Sequence, residues 1–265
     1  MFGIRSKALL IGINYFGTEN ELSGCVQDVE IIKENLISNY DFKEENILVL
    51  TDLPSSKIKP TKKNIINGIK WLLSYDPALN YERNPNTSFQ PFNGKLRMYF
   101  HYSGHGLNVA DKNGDEQDGF DEAIVPIDYK TSGFIIDDDL REYLANKVNE
   151  NSICRGTLDC CNSGTGIDLR WNCILHQDNT YMVIEDSKQQ YTKGNIVFIS
   201  ACNDFQEEGE INKSGILTSV LKNILVPNLK INDLIKKLTY EYIGNSKQNP
   251  VISFGNRVGL DELWL

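Results

Sequence analysis

The chain has 265 residues, 40% of them hydrophobic and 24% charged, which suits a globular protein able to bury one large core or two small ones. Its formal net charge of −9 argues against a nucleic-acid partner and suits a site that holds cations or basic side chains. No apolar run reaches the roughly 18 residues of a membrane span, no signal-peptide pattern follows Met1, and the six cysteines form no repeated C-x-x-C spacing, so a reduced, cytoplasmic protein without a disulfide framework is expected.

In chain order, Lys7-Ala8-Leu9-Leu10-Ile11-Gly12-Ile13-Asn14 is nearly all apolar, as a strand covered on both faces should be. Residues 25–40 place Val26, Val29, Ile32, Leu36 and Ile37 at helical spacing. Asn46-Ile47-Leu48-Val49-Leu50 reads as the next strand. Thr61 is the expected N-cap of a helix carrying Ile65, Ile66, Ile69, Leu72 and Leu73. Residues 75–94, with Pro77, Pro85 and Pro91, read as a surface loop. Leu96-Arg97-Met98-Tyr99-Phe100-His101-Tyr102 is a strand that runs into the turn Ser103-Gly104-His105-Gly106.

An acidic, Gly-punctuated loop over 111–121 precedes two short strands, Ala123-Ile124-Val125 and Gly133-Phe134-Ile135-Ile136, expected as a hairpin. Asp137 or Asp138 is expected to cap a helix through Leu140, Tyr143 and Leu144. The strand Ile153-Cys154-Arg155-Gly156-Thr157-Leu158 ends in a second small-residue turn, Asp159-Cys160-Cys161-Asn162-Ser163-Gly164-Thr165-Gly166. Residues 170–194 are polar and aperiodic and are expected to form a mobile linker. Ile196-Val197-Phe198-Ile199-Ser200-Ala201, helices over 215–225 and 231–243, and the strand Val251-Ile252-Ser253-Phe254 complete the chain. Strands alternating with helices predict an α/β sandwich with a mainly parallel sheet, and ligands in such sheets bind beyond the strand carboxyl ends. One domain over 1–265 is expected, with a larger part over 1–169, the linker, and a smaller part over 195–265.

Both turns can carry covalent chemistry. A free thiol, with a pKa of about 8.5, is only a few per cent thiolate at neutral pH, and a nearby imidazole raises that fraction or takes the proton during attack. Cys161 is the candidate nucleophile and His105, 56 residues upstream, the candidate base. Gly106 and the glycines after Cys161 allow backbone N–H groups to approach an oxyanion, and the product is a thioacyl-enzyme. The plainer alternative is a buried strand-end cysteine and a turn histidine with satisfied hydrogen bonds.

Tyr102-Ser103-Gly104-His105-Gly106 and Asp159-Cys160-Cys161-Asn162-Ser163-Gly164 resemble the His and Cys motifs of the metacaspases, in the caspase-like clan of cysteine peptidases. The resemblance continues through Gly114-Asp115-Glu116-Gln117-Asp118-Gly119-Phe120-Asp121-Glu122, Pro126-Ile127-Asp128-Tyr129, Ile135-Ile136-Asp137-Asp138-Asp139-Leu140, Ser200-Ala201-Cys202-Asn203-Asp204-Phe205-Gln206 and the last strand. It implies a caspase-like three-layer sandwich with a small hairpin after the His turn, and a Cys–His dyad peptidase. Asn162 stands where the family usually has His, and Cys160 where it usually has Ser. No Pro- and Gln-rich N-terminal extension is expected.

The resemblance further implies that Cys25, Asp28, Ser103 and Asp159 line the P1 pocket, which receives the residue before the scissile bond. Carboxylates there select Arg or Lys through charge-assisted hydrogen bonds. Asp121, Asp137, Asp138 and Asp168 match the calcium site of calcium-activated metacaspases, so Ca²⁺ is the expected cofactor, set against a solvated acidic face. A rival reading makes Asp111-x-Asn113-x-Asp115, with Glu122 at the twelfth place, an EF-hand loop, although Glu116 stands where Gly is needed. Cleavage after basic residues implies self-cleavage near Lys188 or Lys193. The expected partners are protein or peptide substrates, and the expected state is a monomer. Two alternatives use the same fold: a weakly active or inactive scaffold, and a peptide ligase.

Overall fold

The computed structural model describes residues 5–86, 88–110, 119–160, 166–176, 180–201, 210–211, 214–241, 250–257, 259 and 261–265. The chain begins with β1 (Arg5–Gly12), α1 (Cys25–Tyr40), β2 (Ile47–Thr51) and α2 (Lys62–Leu72). α3 (Ala78–Arg83), β3 (Leu96–Ser103), β4 (Gly106–Ala110), β5 (Phe120–Ile124), α4 (Tyr129–Ser132), β6 (Ile135–Ile136) and α5 (Asp137–Tyr143) follow. Next come β7 (Ile153–Asp159), β8 (Trp171–Leu175), β9 (Tyr181–Glu185), β10 (Asn195–Ser200), β11 (Glu210–Ile211) and β12 (Ser214–Gly215). The last elements are α6 (Ile216–Ile224), α7 (Ile231–Glu241) and β13 (Val251–Phe254).

Eight strands form the central sheet in the order β2-β1-β3-β7-β10-β13-β8-β9. The first five are parallel, and β13, β8 and β9 add antiparallel pairings. This is the mainly parallel caspase-like sandwich that the resemblance implies. Alternate side chains feed two cores. Leu9, Ile11, Phe100 and Tyr102 pack under α2 and α5 with Ile65, Ile69 and Leu140. Leu10, Tyr99, Val197 and Ile199 pack on the other face under α1, α6 and α7 with Val29, Leu217 and Leu234.

Thr61 caps α2 as expected, its side chain accepting from the Asn64 N–H at 3.2 Å. Residues 75–94 are more than a surface loop. They contain α3, and Tyr81 and Phe89 are buried in the first core, where the Tyr81 hydroxyl donates to the Asn64 carbonyl at 2.7 Å. The expected hairpin is a three-stranded antiparallel sheet, β4-β5-β6, because the residues directly after His105 extend and pair with β5. Asp137 does not cap α5 from outside. It is the helix's first residue, and Ile136 holds the cap position without a side-chain bond.

The segment over 170–194 carries β8 and β9, which extend the central sheet. Its lack of period has a physical source. Every residue of β9 is exposed, so the strand is held by pairing at the sheet edge rather than by an inward face. Among the described residues, no helix is long and apolar enough to cross a membrane.

Candidate active site

β3 and β7 are neighbours, with Ser103 directly opposite Asp159, so the His turn and the chain after Asp159 leave the same carboxyl edge of the sheet. Cys160 is buried at this edge, whereas Cys161, Asn162, Ser163 and Gly164 lie outside the described residues. So do Cys202 to Gln206, and Asp111 to Asp118 of the EF-hand reading. The residues that leave the latter segment form β5, where an EF-hand requires a helix, so that reading fails.

His105 sits two residues past β3 and is half-buried. Its Nε2 lies 2.7 Å from the backbone carbonyl of Asn20. A carbonyl only accepts, so Nε2 carries the proton and Nδ1 is left as an acceptor. The backbone N–H of His105 donates to the Tyr15 hydroxyl at 3.1 Å, the Tyr102 hydroxyl donates to the His105 carbonyl at 2.7 Å, and the Tyr15 and His105 rings lie 4.7 Å apart. Tyr15 holds this position with φ of 54°, in the left-handed region that non-glycine residues adopt at a cost. Asn20 and Tyr15 were not among the residues expected from sequence. The role of Asn20 rests on its carbonyl, which every residue has, so no side-chain signal marks it.

Three of the four residues expected in the pocket, Asp28, Ser103 and Asp159, meet at the start of α6. Asp28, in the first turn of α1, is fully buried, and Ser103 Oγ donates to its Oδ2 at 2.6 Å. The Gly215 N–H donates to both Asp28 oxygens, at 3.1 and 3.2 Å. Asp159 Oδ2 accepts from the Thr218 N–H at 2.8 Å, while its Oδ1, also buried, has no hydrogen bond among the described residues. Cys25 is buried at the start of α1.

Two glycines make this approach possible. A Cβ on Gly12 would lie 2.4 Å from the Cys25 carbonyl, so only glycine lets the end of β1 meet the start of α1. A Cβ on Gly215 would lie 2.4 Å from Asp159 Oδ2. The first turn of α6 thus directs N–H groups at both carboxylates, which also suits the positive end of the helix dipole. α6 has glycine at its own cap position, and Asp159, 59 residues away, supplies the acceptor instead.

Beneath the pocket, on the same face of β3, His101 is fully buried, with Nδ1 2.7 Å from Thr157 Oγ1. Burial pushes its pKa down to about 4, and the Asp159 charge opposes that shift. Cys154 and Cys173 are ordinary structural thiols, both pushed up to about 12 by burial.

The acidic residues form a second cluster. Carboxylate oxygens of Glu122, Asp137 and Asp168 lie within 4.8 Å of one another, and all three residues are buried. Asp137 and Asp168 were expected here; Glu122 joins them where Asp121 was expected. Asp121 is buried on the same strand, and Asp138 is half-buried beside Asp137. Asp137 accepts from the Glu122 N–H at 2.6 Å and the Asp138 N–H at 2.8 Å. Its carboxyl is nonetheless pushed up to about 6, chiefly by burial, with the Asp121 charge adding to the shift. Asp168 adopts φ of 45°, and its carbonyl accepts from the buried guanidinium of Arg141, which also donates to the Gln190 carbonyl at 2.6 Å. Three buried carboxylates with one guanidinium alongside carry an excess of negative charge, and an oxygen-only donor set fits a hard divalent cation.

Comparison with known proteins bears on the same residues. The model of the metacaspase peptidase C14 domain matches residues 6–79 and 92–170. The chain is 38% identical over 219 residues to Metacaspase-1 of Schizosaccharomyces pombe, covering 76% of this chain and 48% of that protein. It is 34% identical over 247 residues to Metacaspase-1 of Plasmodium falciparum, covering 90% of this chain and 37% of that protein. It thus spans less than half the length of these relatives. Protein GSU0716 of Geobacter sulfurreducens shares the fold, with a TM-score of 0.59 at 19% identity over 94% of this chain and 93% of that one. The matched residues include the His turn, both pocket carboxylates and the acidic cluster, and on that match the chain belongs to the metacaspase family.

Proposed function

We propose that this chain is a calcium-stimulated cysteine endopeptidase that cuts after Arg or Lys. The observation that supports it most is the buried carboxylate pair Asp28–Asp159 at the strand edge that also bears His105. Asp28 is occupied by Ser103 and Gly215, but Asp159 Oδ1 is buried without a hydrogen bond among the described residues. Such an oxygen costs about 1–3 kcal/mol, which an arriving guanidinium or ammonium recovers. In this reading Cys161 gives its proton to His105 Nδ1 and attacks the carbonyl after the basic residue. The Gly106 backbone stabilises the oxyanion, and His105 returns the proton to the leaving amine. Water then resolves the thioacyl-enzyme.

Glu122, Asp137 and Asp168 would hold Ca²⁺. Bound there, the ion supplies charge compensation and order to the chain that follows Cys161, rather than Lewis-acid chemistry. Lys188 and Lys193 are both exposed, in keeping with self-cleavage in that segment. The buried free thiols Cys25, Cys154, Cys160 and Cys173 suit a reducing compartment, and a monomer is the state we assign.

The test is hydrolysis of fluorogenic peptides with Arg, Lys or Asp at P1, with millimolar Ca²⁺ or chelator, by the native chain and Cys161→Ala. Ca²⁺-dependent cleavage after Arg or Lys, lost in Cys161→Ala, is the expected result. Cleavage after Asp, or equal cleavage by Cys161→Ala, would overturn the reading.

A further inference from the structure

A hollow of about 340 Å³ opens beside His105, lined by Tyr15, His105, Gly106, Leu107, Val125 and Tyr129 among others. It lies across the sheet from the Asp28–Asp159 pocket. Along β3, Ser103 and His101 face α1 and α6, whereas Tyr102 faces the other core with Val125 and Tyr15. The hollow and the Asp28–Asp159 carboxylates therefore lie on opposite faces of the strand edge, with the His turn between them.

Its walls are rigid and mostly apolar. The Tyr15 hydroxyl donates to the Val125 carbonyl at 2.6 Å, and the Val125 N–H donates to the His105 carbonyl at 3.2 Å. Tyr129 stacks on Phe134 with ring centroids 5.8 Å apart. Leu107 and Tyr129 are only half-buried, so each has apolar surface left to cover. Thr18 and Asn20 complete the lining, but the Tyr15 hydroxyl is bonded to the Val125 carbonyl, the Thr18 hydroxyl to the Tyr15 carbonyl at 2.8 Å and the Asn20 carbonyl to His105, which leaves little beyond the Asn20 amide to recognise a charged or strongly polar guest.

On the peptidase reading above, we propose that this hollow receives the side chain of the residue just after the scissile bond, P1′, and that it selects an aliphatic or aromatic one. The chemistry sets the position. As the C–N bond breaks and the acyl carbon stays on Cys161 sulfur, the departing nitrogen takes its proton from His105. The residue that carries this nitrogen lies against the His105 wall. With the P1 side chain committed to the carboxylate pocket on one face, the P1′ side chain falls toward the recess on the other. The hollow is of the size that holds small ligands, and covering part of a Leu or Phe side chain is enough for about tenfold discrimination.

The experiment uses the full chain with Ca²⁺ and internally quenched peptides identical through P1 Arg, with Gly, Ala, Leu, Phe or Asp at P1′. An Arg–aminocoumarin amide, which has no P1′ side chain, is run beside them. We expect kcat/KM for Leu and Phe to exceed that for Gly by about tenfold, with Asp below Gly. The Leu-to-Gly ratio falls at least threefold in Leu107→Ser and in Tyr129→Ala. Because the ratio is taken within each variant, a general loss of activity does not mimic it. If the coumarin amide is cleaved but the native P1′ series is flat, or its preference survives in both variants, the P1′ assignment is overturned and the peptidase reading stands. If the amide and all the peptides are inert, the peptidase reading falls and takes the assignment with it.

Discussion

Asp159→Asn separates the capping role that the structure gives this carboxylate from the substrate role proposed for it. Oδ2 caps α6 through the Thr218 N–H at 2.8 Å, and the amide oxygen of Asn can do the same. Stability should therefore change by no more than about 1 kcal/mol. Oδ1 is the oxygen left for a basic P1 side chain, and Asn puts an NH₂ donor there in place of an anion. A hydrogen bond to a charged group contributes about 1.5–3 kcal/mol net, so kcat/KM for P1 Arg should fall by about tenfold to a hundredfold. Asp28→Asn makes the contrast. Both Asp28 oxygens accept from Gly215, and one also accepts from Ser103, so one donor must then face another donor. That variant should lose activity and also about 1–3 kcal/mol of stability. The assay pairs urea unfolding with kcat/KM on Arg and citrulline peptides. A loss below threefold for Asp159→Asn, or an equal loss on both peptides, would refute the argument.

Gly215→Ala should reduce kcat/KM on Arg peptides at least tenfold, because the new methyl occupies the space of Asp159 Oδ2; native-like kinetics would show that the carboxylate can move aside. His101 is held neutral down to about pH 4, whereas the unfolded chain protonates it near 6.5. The unfolded state binds more protons between those values, so this contribution is fully present above pH 6.5 and falls by ~3 kcal/mol as pH drops toward 4. Urea midpoints from pH 7 to 4.5 should drop more steeply for the native chain than for His101→Asn, and parallel curves would remove His101 as the source. Millimolar Ca²⁺ should raise Tm of the native chain but not of Asp168→Asn, and an equal rise in both would place the cation elsewhere.

The His turn and most of the sheet were legible in the chain itself. β1 and β10 hold continuous apolar runs and β3 and β7 are buried on both faces, because helices cover both sides of a parallel sheet and leave no polar side to alternate with. Thr61 and the spacing of α1 and α2 were legible for a similar reason, since caps and amphipathic faces are local properties. β4, β8 and β9 were not legible. β4 has no fully buried residue, β9 lies at the sheet edge, and β8 buries only Cys173 and Leu175 of its apolar residues. β9, exposed along its whole length, has no inward face to leave a mark on the sequence.

At the site the division follows the same physics. Residue types and their spacing were enough to nominate His105 and Cys161, and the resemblance to the family added Asp28, Ser103 and Asp159. Only the tertiary structure decided what each atom does. The Asn20 carbonyl orients His105, α6 borrows its cap from Asp159, and Glu122 rather than Asp121 meets Asp137 and Asp168. A backbone carbonyl carries no side-chain identity, and a cap 59 residues distant is a contact that exists only once the sheet has set β7 against the start of α6. Asp121 and Glu122 are both buried on β5, and which of their carboxylates closes on Asp137 and Asp168 is set by how β5 pairs with β6.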